Sequence, residues 1–312
     1  MQLLSACGGH DATIRLLLKH GAVVDAADDY GTTPLLFAVE HGHVHATQLL
    51  LAAGASVRVA NRRGFAALHV AVYSNCDEIV NLLLTAGANV DQCKAQTLLF
   101  MAARFGHDEI VHTLLCWHSR VETLSYGKTP LCIAAFYGHA SVVELLLRYG
   151  SADVNAASAT TTTPLLLAVQ RNRVDIVRML VAANADVNRR KPLVAAVRDG
   201  RRDCVALLLA SGSVKKSVLQ SAMQTAAACQ RYECAVLLVA AGAALVVPRV
   251  PKSKKKNKKR QRDLYVNDIA RRWSTIPTNR SAIDGAMWRI RDARASIALV
   301  RKKTNKKKRQ RK

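Results

Sequence analysis

Thr129-Pro130-Leu131-Cys132-Ile133-Ala134-Ala135-Phe136-Tyr137-Gly138-His139-Ala140-Ser141-Val142-Val143-Glu144-Leu145-Leu146-Leu147-Arg148-Tyr149-Gly150 decides the fold. Thr before Pro starts a helix: the hydroxyl caps, and Pro takes the first helical position, where no N–H is needed. Gly138-His139 breaks that helix after about two turns, counted from the helical repeat. A second helix then runs to the Leu145-Leu146-Leu147 triplet, and Gly150 is expected to supply the left-handed residue that ends it. Two such short helices cannot bury their leucines alone, so the unit has to stack on copies of itself.

Copies stand on both sides. The opening phrase recurs as Thr33-Pro34-Leu35, Ala67-Leu68-His69, Thr97-Leu98-Leu99 and Thr163-Pro164-Leu165, and more weakly as Lys191-Pro192-Leu193 and Ser221-Ala222-Met223. The closing phrase recurs as Leu16-Leu17-Leu18-Lys19-His20-Gly21, Leu49 to Gly54, Leu82 to Gly87, Leu207 to Gly212 and Leu237 to Gly242. Asn184 is expected to stand for the capping Gly in the unit 154–187, and Ser119 in the unit before Thr129, with a weaker cap at Ser119. Between units lie polar stretches such as Asp25 to Thr32, long enough for a turn or hairpin. The anchors Leu165 and Leu193 are closer together than the others, which implies a shortened loop there. In the first unit, Met1 falls inside the first helix, with no capping residue or loop before it: an eroded cap, or a chain with more before it.

These phrases resemble the ankyrin repeat: a Thr-Pro-Leu-His helix, a Gly-His turn, a Val-x-x-Leu-Leu helix and a Gly-Ala-x-Val-Asn/Asp loop. Gly-His turns stand at Gly9-His10, Gly42-His43, Gly106-His107 and Gly138-His139, and loops at Gly87-Ala88-Asn89-Val90-Asp91 and Asn184-Ala185-Asp186-Val187-Asn188. Eight units cover 1–247. Only His69 fills the His of the first phrase, and the last three turns read Asn172-Arg173, Gly200-Arg201 and Gln230-Arg231. The resemblance implies an all-α, ankyrin-type helix-turn-helix solenoid with short hairpin-like loops. It also implies a non-enzymatic scaffold or adaptor that binds a protein partner through its loops and concave face.

Composition agrees with helices packed by small aliphatics: apolar residues are 50% of the 312 and aromatics only 5%. The mean hydropathy is +0.05. The longest nearly apolar run, Cys234 to Val247, contains Gly242 and is too short to span a bilayer. No basic stretch leads into an apolar one at the start, so secretion is not expected. The eight cysteines read as reduced thiols of a nuclear or cytoplasmic protein. Cys229 and Cys234, the closest pair, read as two buried small apolar residues. His41-x-His43-x-His45 lacks partners at zinc spacing and falls at a helix junction. No phosphate-cradling glycine loop or nucleophile elbow occurs. No cofactor, metal, catalytic residue or small-molecule substrate is therefore expected.

Charge divides the chain. The net +24 is carried mostly by 248–312, with 24 Lys+Arg against 4 acids; 1–247 has 22 against 18. Within the repeats, 165–216 carries +7 while 1–164 carries −3. Arg189, Arg190, Lys191, Arg201 and Arg202 are accordingly candidates for gripping an acidic partner; the alternative is a solvated rim. Arg58, Arg62 and Arg63 cluster in one loop beside Phe65, which is either an exposed anchor or a buried ring.

The extension reads as a basic linker 248–263, two amphipathic helices within 264–300, and a basic disordered terminus 301–312. Lys254, Lys255, Lys256, Lys258, Lys259 and Arg260 form one block, and Lys306, Lys307, Lys308 and Arg309 the other. Such blocks repel themselves too strongly to fold alone. They suit nuclear or nucleolar import first, phosphate contacts with RNA second, and an anionic membrane surface third. Tyr265, Ile269 and Trp273 share one helical face, and Ser281-x-x-Asp284 can start a second helix. Those helices can dock on the open end of the last repeat, dimerise, or fold on a partner.

Overall fold

The computed structural model of the chain describes residues 8–91, 96–156 and 162–243. The expectations for 248–312 and for the start at Met1 lie outside them. Fifteen α-helices and no β-strand occur among the described residues, so the all-α repeat architecture is observed. The chain divides into two compact units between Pro164 and Leu165.

In the first unit, α1 (Asp11–Lys19) is the second helix of the opening repeat. Four helix pairs follow: α2 (Pro34–Glu40) with α3 (Val44–Ala52), α4 (Ala67–Tyr73) with α5 (Asp77–Thr85), α6 (Leu98–Phe105) with α7 (Asp108–Cys116), and α8 (Pro130–Tyr137) with α9 (Ala140–Arg148). The second unit opens with α10 (Pro164–Gln170), all but its first residue, followed by α11 (Val174–Ala182). In the second unit stand α12 (Pro192–Asp199) with α13 (Arg202–Ala210), and α14 (Lys216–Ala228) with α15 (Tyr232–Ala240). Within each unit, first helices pack on first helices and second helices on second helices. The core is therefore a continuous seam of Leu, Val, Ile and Ala, in which Leu50, Leu83, Leu114 and Leu146 of successive second helices are at most 1% exposed.

The helix starts follow the sequence. The Thr33, Thr97 and Thr129 hydroxyls accept from the backbone N–H three residues on, at 3.3, 3.2 and 3.3 Å. In α4 Ala66 takes the capping place and cannot do this. There His69 reaches back instead, its Nδ1 accepting from Ala66 N–H at 3.3 Å. This gives a reason for the His in the opening phrase.

The helix stops needed the structure. Gly21, Gly54, Gly87, Gly212 and Gly242 and Asn184 take positive φ as expected. Ser119 does not. The left-handed residue is His118 at φ 56°, three residues after Leu115 as Gly54 is three after Leu51, and Ser119 takes the place of Ala55. Gly150 does not either. One extra residue in this loop moves the left-handed position to Ser151 at φ 48°. Gly150 serves a different need: a Cβ there would lie 2.8 Å from the Leu146 carbonyl oxygen. The shortened loop before α12 closes through two successive left-handed residues with side chains, Arg190 at φ 61° and Lys191 at φ 53°. Each such residue costs about 1–2 kcal/mol.

Neighbouring repeats are joined by two recurring polar links. In the loops, the last residue of the Gly-Ala-x-Val-Asp phrase accepts from the next loop's backbone. Asp25 takes the Ser56 N–H at 3.1 Å, Asp91 the Arg120 N–H at 3.2 Å, Glu122 the Asp153 N–H at 2.9 Å and Asn188 the Lys215 N–H at 2.8 Å. Arg58 holds this place in one loop and cannot accept. At the turns, the residue after the left-handed one donates to the carbonyl near the end of the preceding first helix. His139 Nε2 reaches the Arg104 carbonyl at 3.0 Å, Arg201 the Gln170 carbonyl and Arg231 the Arg198 carbonyl, both at 3.2 Å. Arg in the last turns thus does the work of His in the earlier ones. The preceding glycine makes room: a Cβ at Gly106 would lie 2.4 Å from the His139 ring.

Candidate functional site

No helix among the described residues is long and apolar enough to cross a membrane, and none of their His, Cys, Asp and Glu groups is arranged to hold a metal ion. The triple-histidine run is engaged otherwise: His41 Nδ1 donates to the Phe37 carbonyl at 2.9 Å, and its ring stacks on His43 at 6.0 Å. Cys132, Cys204 and Cys234 are buried, and burial pushes their thiols above the ordinary range. Cys229 is exposed at the C-terminus of α14, contrary to its expected burial, since the helix ends there and nothing packs over the cap residue.

What the first unit displays is aromatic. First helices α4, α6 and α8 each end on a large ring: Phe105 and Tyr137 directly precede the left-handed Gly106 and Gly138, and Tyr73 stands two residues before the left-handed Asn75. These rings are 65%, 41% and 40% exposed. Tyr73 and Phe105 meet edge to face at 5.4 Å between centroids, so the row is continuous across two repeats. Phe105 stacks on His107 at 5.7 Å and Tyr137 on His139 at 6.3 Å, while the Arg104 guanidinium lies 5.6 Å over Phe105. The turns after Phe105 and Tyr137 are also those whose His reaches back to the previous repeat, His139 to the Arg104 carbonyl and His107 to the Tyr73 backbone. Burial pushes the His107 imidazole below its ordinary value, against a smaller upward pull from the Tyr73 backbone.

Sequence reasoning missed this row. Its signal was available: the last residues of these first helices are Tyr73, Phe105 and Tyr137, against Glu40, Gln170 and Asp199 in α2, α10 and α12. Exposed aromatics with a cation alongside are the residues from which binding hot spots are built.

The loop tips carry the predicted cluster. Arg58, Arg62 and Arg63 are exposed, and Phe65 is 42% exposed with its edge toward His69 at 6.1 Å. The tip is held by Asn61, whose Oδ1 accepts from Arg63 and Phe65 N–H, both at 3.0 Å. It is fastened to the neighbouring tip by Arg62 N–H donating to the Tyr30 carbonyl at 2.9 Å. Phe65 therefore projects from a fixed tip, with exposed Tyr30 on the next one.

In the second unit the display is basic. Arg189, Arg190, Lys191 and Arg202 are exposed. Arg201 is half-buried, and its link to Gln170 makes it a structural residue as well as a charged one.

Comparison with known proteins agrees with this architecture. The family model described as "Ankyrin repeats (3 copies)" matches residues 3–94 and again 99–191. The ankyrin repeat domain of Bcl-3 superposes with a TM-score of 0.59 at 26% identity, covering 66% of this chain and 96% of that one. The human ASB11 ankyrin repeat domain gives 0.59 at 25% identity, with 67% and 96% covered. Among curated relatives, the ankyrin repeat and KH domain-containing protein mask-1 of Caenorhabditis elegans is 34% identical over 131 residues, 38% of this chain and 5% of its own length. The E3 ubiquitin-protein ligase XBAT33 of Arabidopsis thaliana is 34% identical over 119 residues, 36% of this chain and 22% of its own length. The chain thus spans less than a quarter of either relative, and the likeness is one of repeats. With two family matches spanning more than half its length and the same helix pairs, caps and loop links in both units, the chain belongs to the ankyrin-repeat family.

Proposed function

We propose that this chain is a non-enzymatic adaptor that holds a protein partner on its repeats. Ankyrin repeats are protein-interaction modules, and the observation that carries the reading is the row Tyr73, Phe105 and Tyr137. Three large rings are left open in a chain that is poor in aromatics. Their exposed parts forgo a share of the about 1.5–3 kcal/mol that full burial of such a ring gives, which a partner would recover. Arg58, Arg62, Arg63 and Phe65 add a second contact at the tips. The basic residues Arg189, Arg190, Lys191 and Arg202 favour an acidic surface on whatever lies against the second unit. The polybasic blocks at 252–262 and 301–312 supply a nuclear or nucleolar address, so the adaptor works in the nucleus.

A second reading has its own observation, the charge of 248–312: phosphate binding to RNA through the tail. The two separate by experiment. The full chain is immobilised and exposed to nuclear extract with and without nuclease, beside Tyr73→Ala/Phe105→Ala/Tyr137→Ala and a variant with Lys254, Lys255, Lys256, Lys258 and Lys259 changed to Ala. The adaptor reading requires proteins that survive nuclease and are lost with the aromatic variant. Capture that nuclease removes, that falls steeply with salt and that only the lysine variant abolishes establishes the RNA reading instead.

A further inference from the structure

The second helices share one column that faces solvent even where helices flank them on both sides. In α5, α7 and α13, each packed between two other second helices, the column holds Asn81, His112 and Ala206. Asn81 is half-buried and the other two are exposed. In α15 the same place holds Val236, and Val236 is 1% exposed. No further helix pair follows α15 among the described residues, and in the other repeats a following pair does not cover this place. Val236 is thus buried where no described helix outside the repeat stack lies over it. The rest of α15 agrees: after Glu233 it reads Cys-Ala-Val-Leu-Leu-Val-Ala, with no charge.

We propose that the occupant is the chain's own segment 264–273, laid with Tyr265, Ile269 and Trp273 against the Val236 side of α15. Three features favour it. Tyr265, Ile269 and Trp273 fall at four-residue spacing, one apolar stripe on a helix, with Arg271 and Arg272 off it. The described chain stops at Ala243, next to the end of α15, so the residues between it and Tyr265 form a tether. That tether reaches about 70 Å when extended, far more than the roughly 14 Å length of α15. A tether of this length also holds the segment near its site at an effective concentration of about a millimolar, so a weak contact suffices. The consequence for the adaptor is geometric. With 264–273 docked, Lys254 to Arg260 is closed into a loop beside the last repeat.

The test is hydrogen exchange on the full chain at several concentrations. Ile269→Asp/Trp273→Asp is expected to speed exchange of the 232–240 amides at least tenfold and leave 130–148 unchanged, while Trp273→Phe keeps the protection. Both altered residues lie outside the repeats, so the repeat fold itself is not at stake. Exchange at 232–240 that ignores Ile269→Asp/Trp273→Asp overturns the proposal. So does protection that grows with protein concentration, which assigns the face to a second copy. Loss of protection only in Ile290→Asp assigns it to the later segment and overturns it equally.

Discussion

His107 and His139 each sit directly after a left-handed glycine, against the ring that ends the first helix, and His139 also donates to the repeat before it. Because burial lowers the His107 value, the folded chain takes up that proton less readily than the unfolded one. Its contribution to stability is therefore complete above the ordinary His value of 6.5 and is lost as pH falls below it. Wild-type Tm should drop between pH 7.5 and 5.5, and His107→Asn should flatten part of that slope; identical slopes refute the assignment. Gly106 is tested from the other side. Ala there must adopt φ 79° and displace the His139 ring, so Gly106→Ala should cost about 2–3 kcal/mol by denaturant unfolding. The neighbouring ring behaves oppositely. Phe105 is 41% exposed, so Phe105→Ala should cost less stability than a core leucine while weakening partner capture at least tenfold; a loss as large as that of Leu146→Ala would make the ring structural.

At the scale of elements, the helix pair is held by its leucines and its loop by backbone geometry. Leu50 and Leu146 are 1% and 0% exposed in α3 and α9. Leu50→Ala and Leu146→Ala should each cost about 2–5 kcal/mol, and unchanged melting would mean the repeat register is wrong. The loop before α12 offers a gain. Arg190 stands at φ 61° without the freedom of glycine, so Arg190→Gly should raise stability by about 0.5–1 kcal/mol after the added entropy of the unfolded chain is subtracted. A loss of stability would show that the Arg190 side chain contributes more than its backbone costs.

Over the whole molecule, stability is a sum of neighbour contacts within each of two units, and display differs between them. The first shows aromatic rings and a basic tip; the second shows arginines and lysines. Partner contacts through Tyr73, Phe105 and Tyr137 should therefore weaken little between 50 and 200 mM salt. Contacts through Arg189, Arg190, Lys191 and Arg202 should weaken markedly, because exposed charges are screened beyond about 10 Å at 0.1 M. A titration of the captured partner at the two salt concentrations, with the aromatic and basic variants side by side, distinguishes which unit carries the affinity.

The sequence by itself determined the repeat, since Thr-Pro caps, glycine turns and leucine triplets are local requirements that any copy must meet. It also pointed to the Arg62–Phe65 tip, because a polar stretch between two helices has nowhere to go but the surface. It misjudged Ser119, although the spacing from Leu115 already points to His118, and Gly150, where one extra loop residue moves the left-handed position to Ser151. The Tyr73–Phe105–Tyr137 row was written in the chain but not legible as a surface, because a helical aromatic usually reads as core. Only the stacking of first helices shows that these three rings end their helices on the open side. The equivalence of His139 with Arg201 and Arg231 was likewise a tertiary fact: two unlike side chains reach the same carbonyl one repeat back, and no local rule pairs residues that far apart.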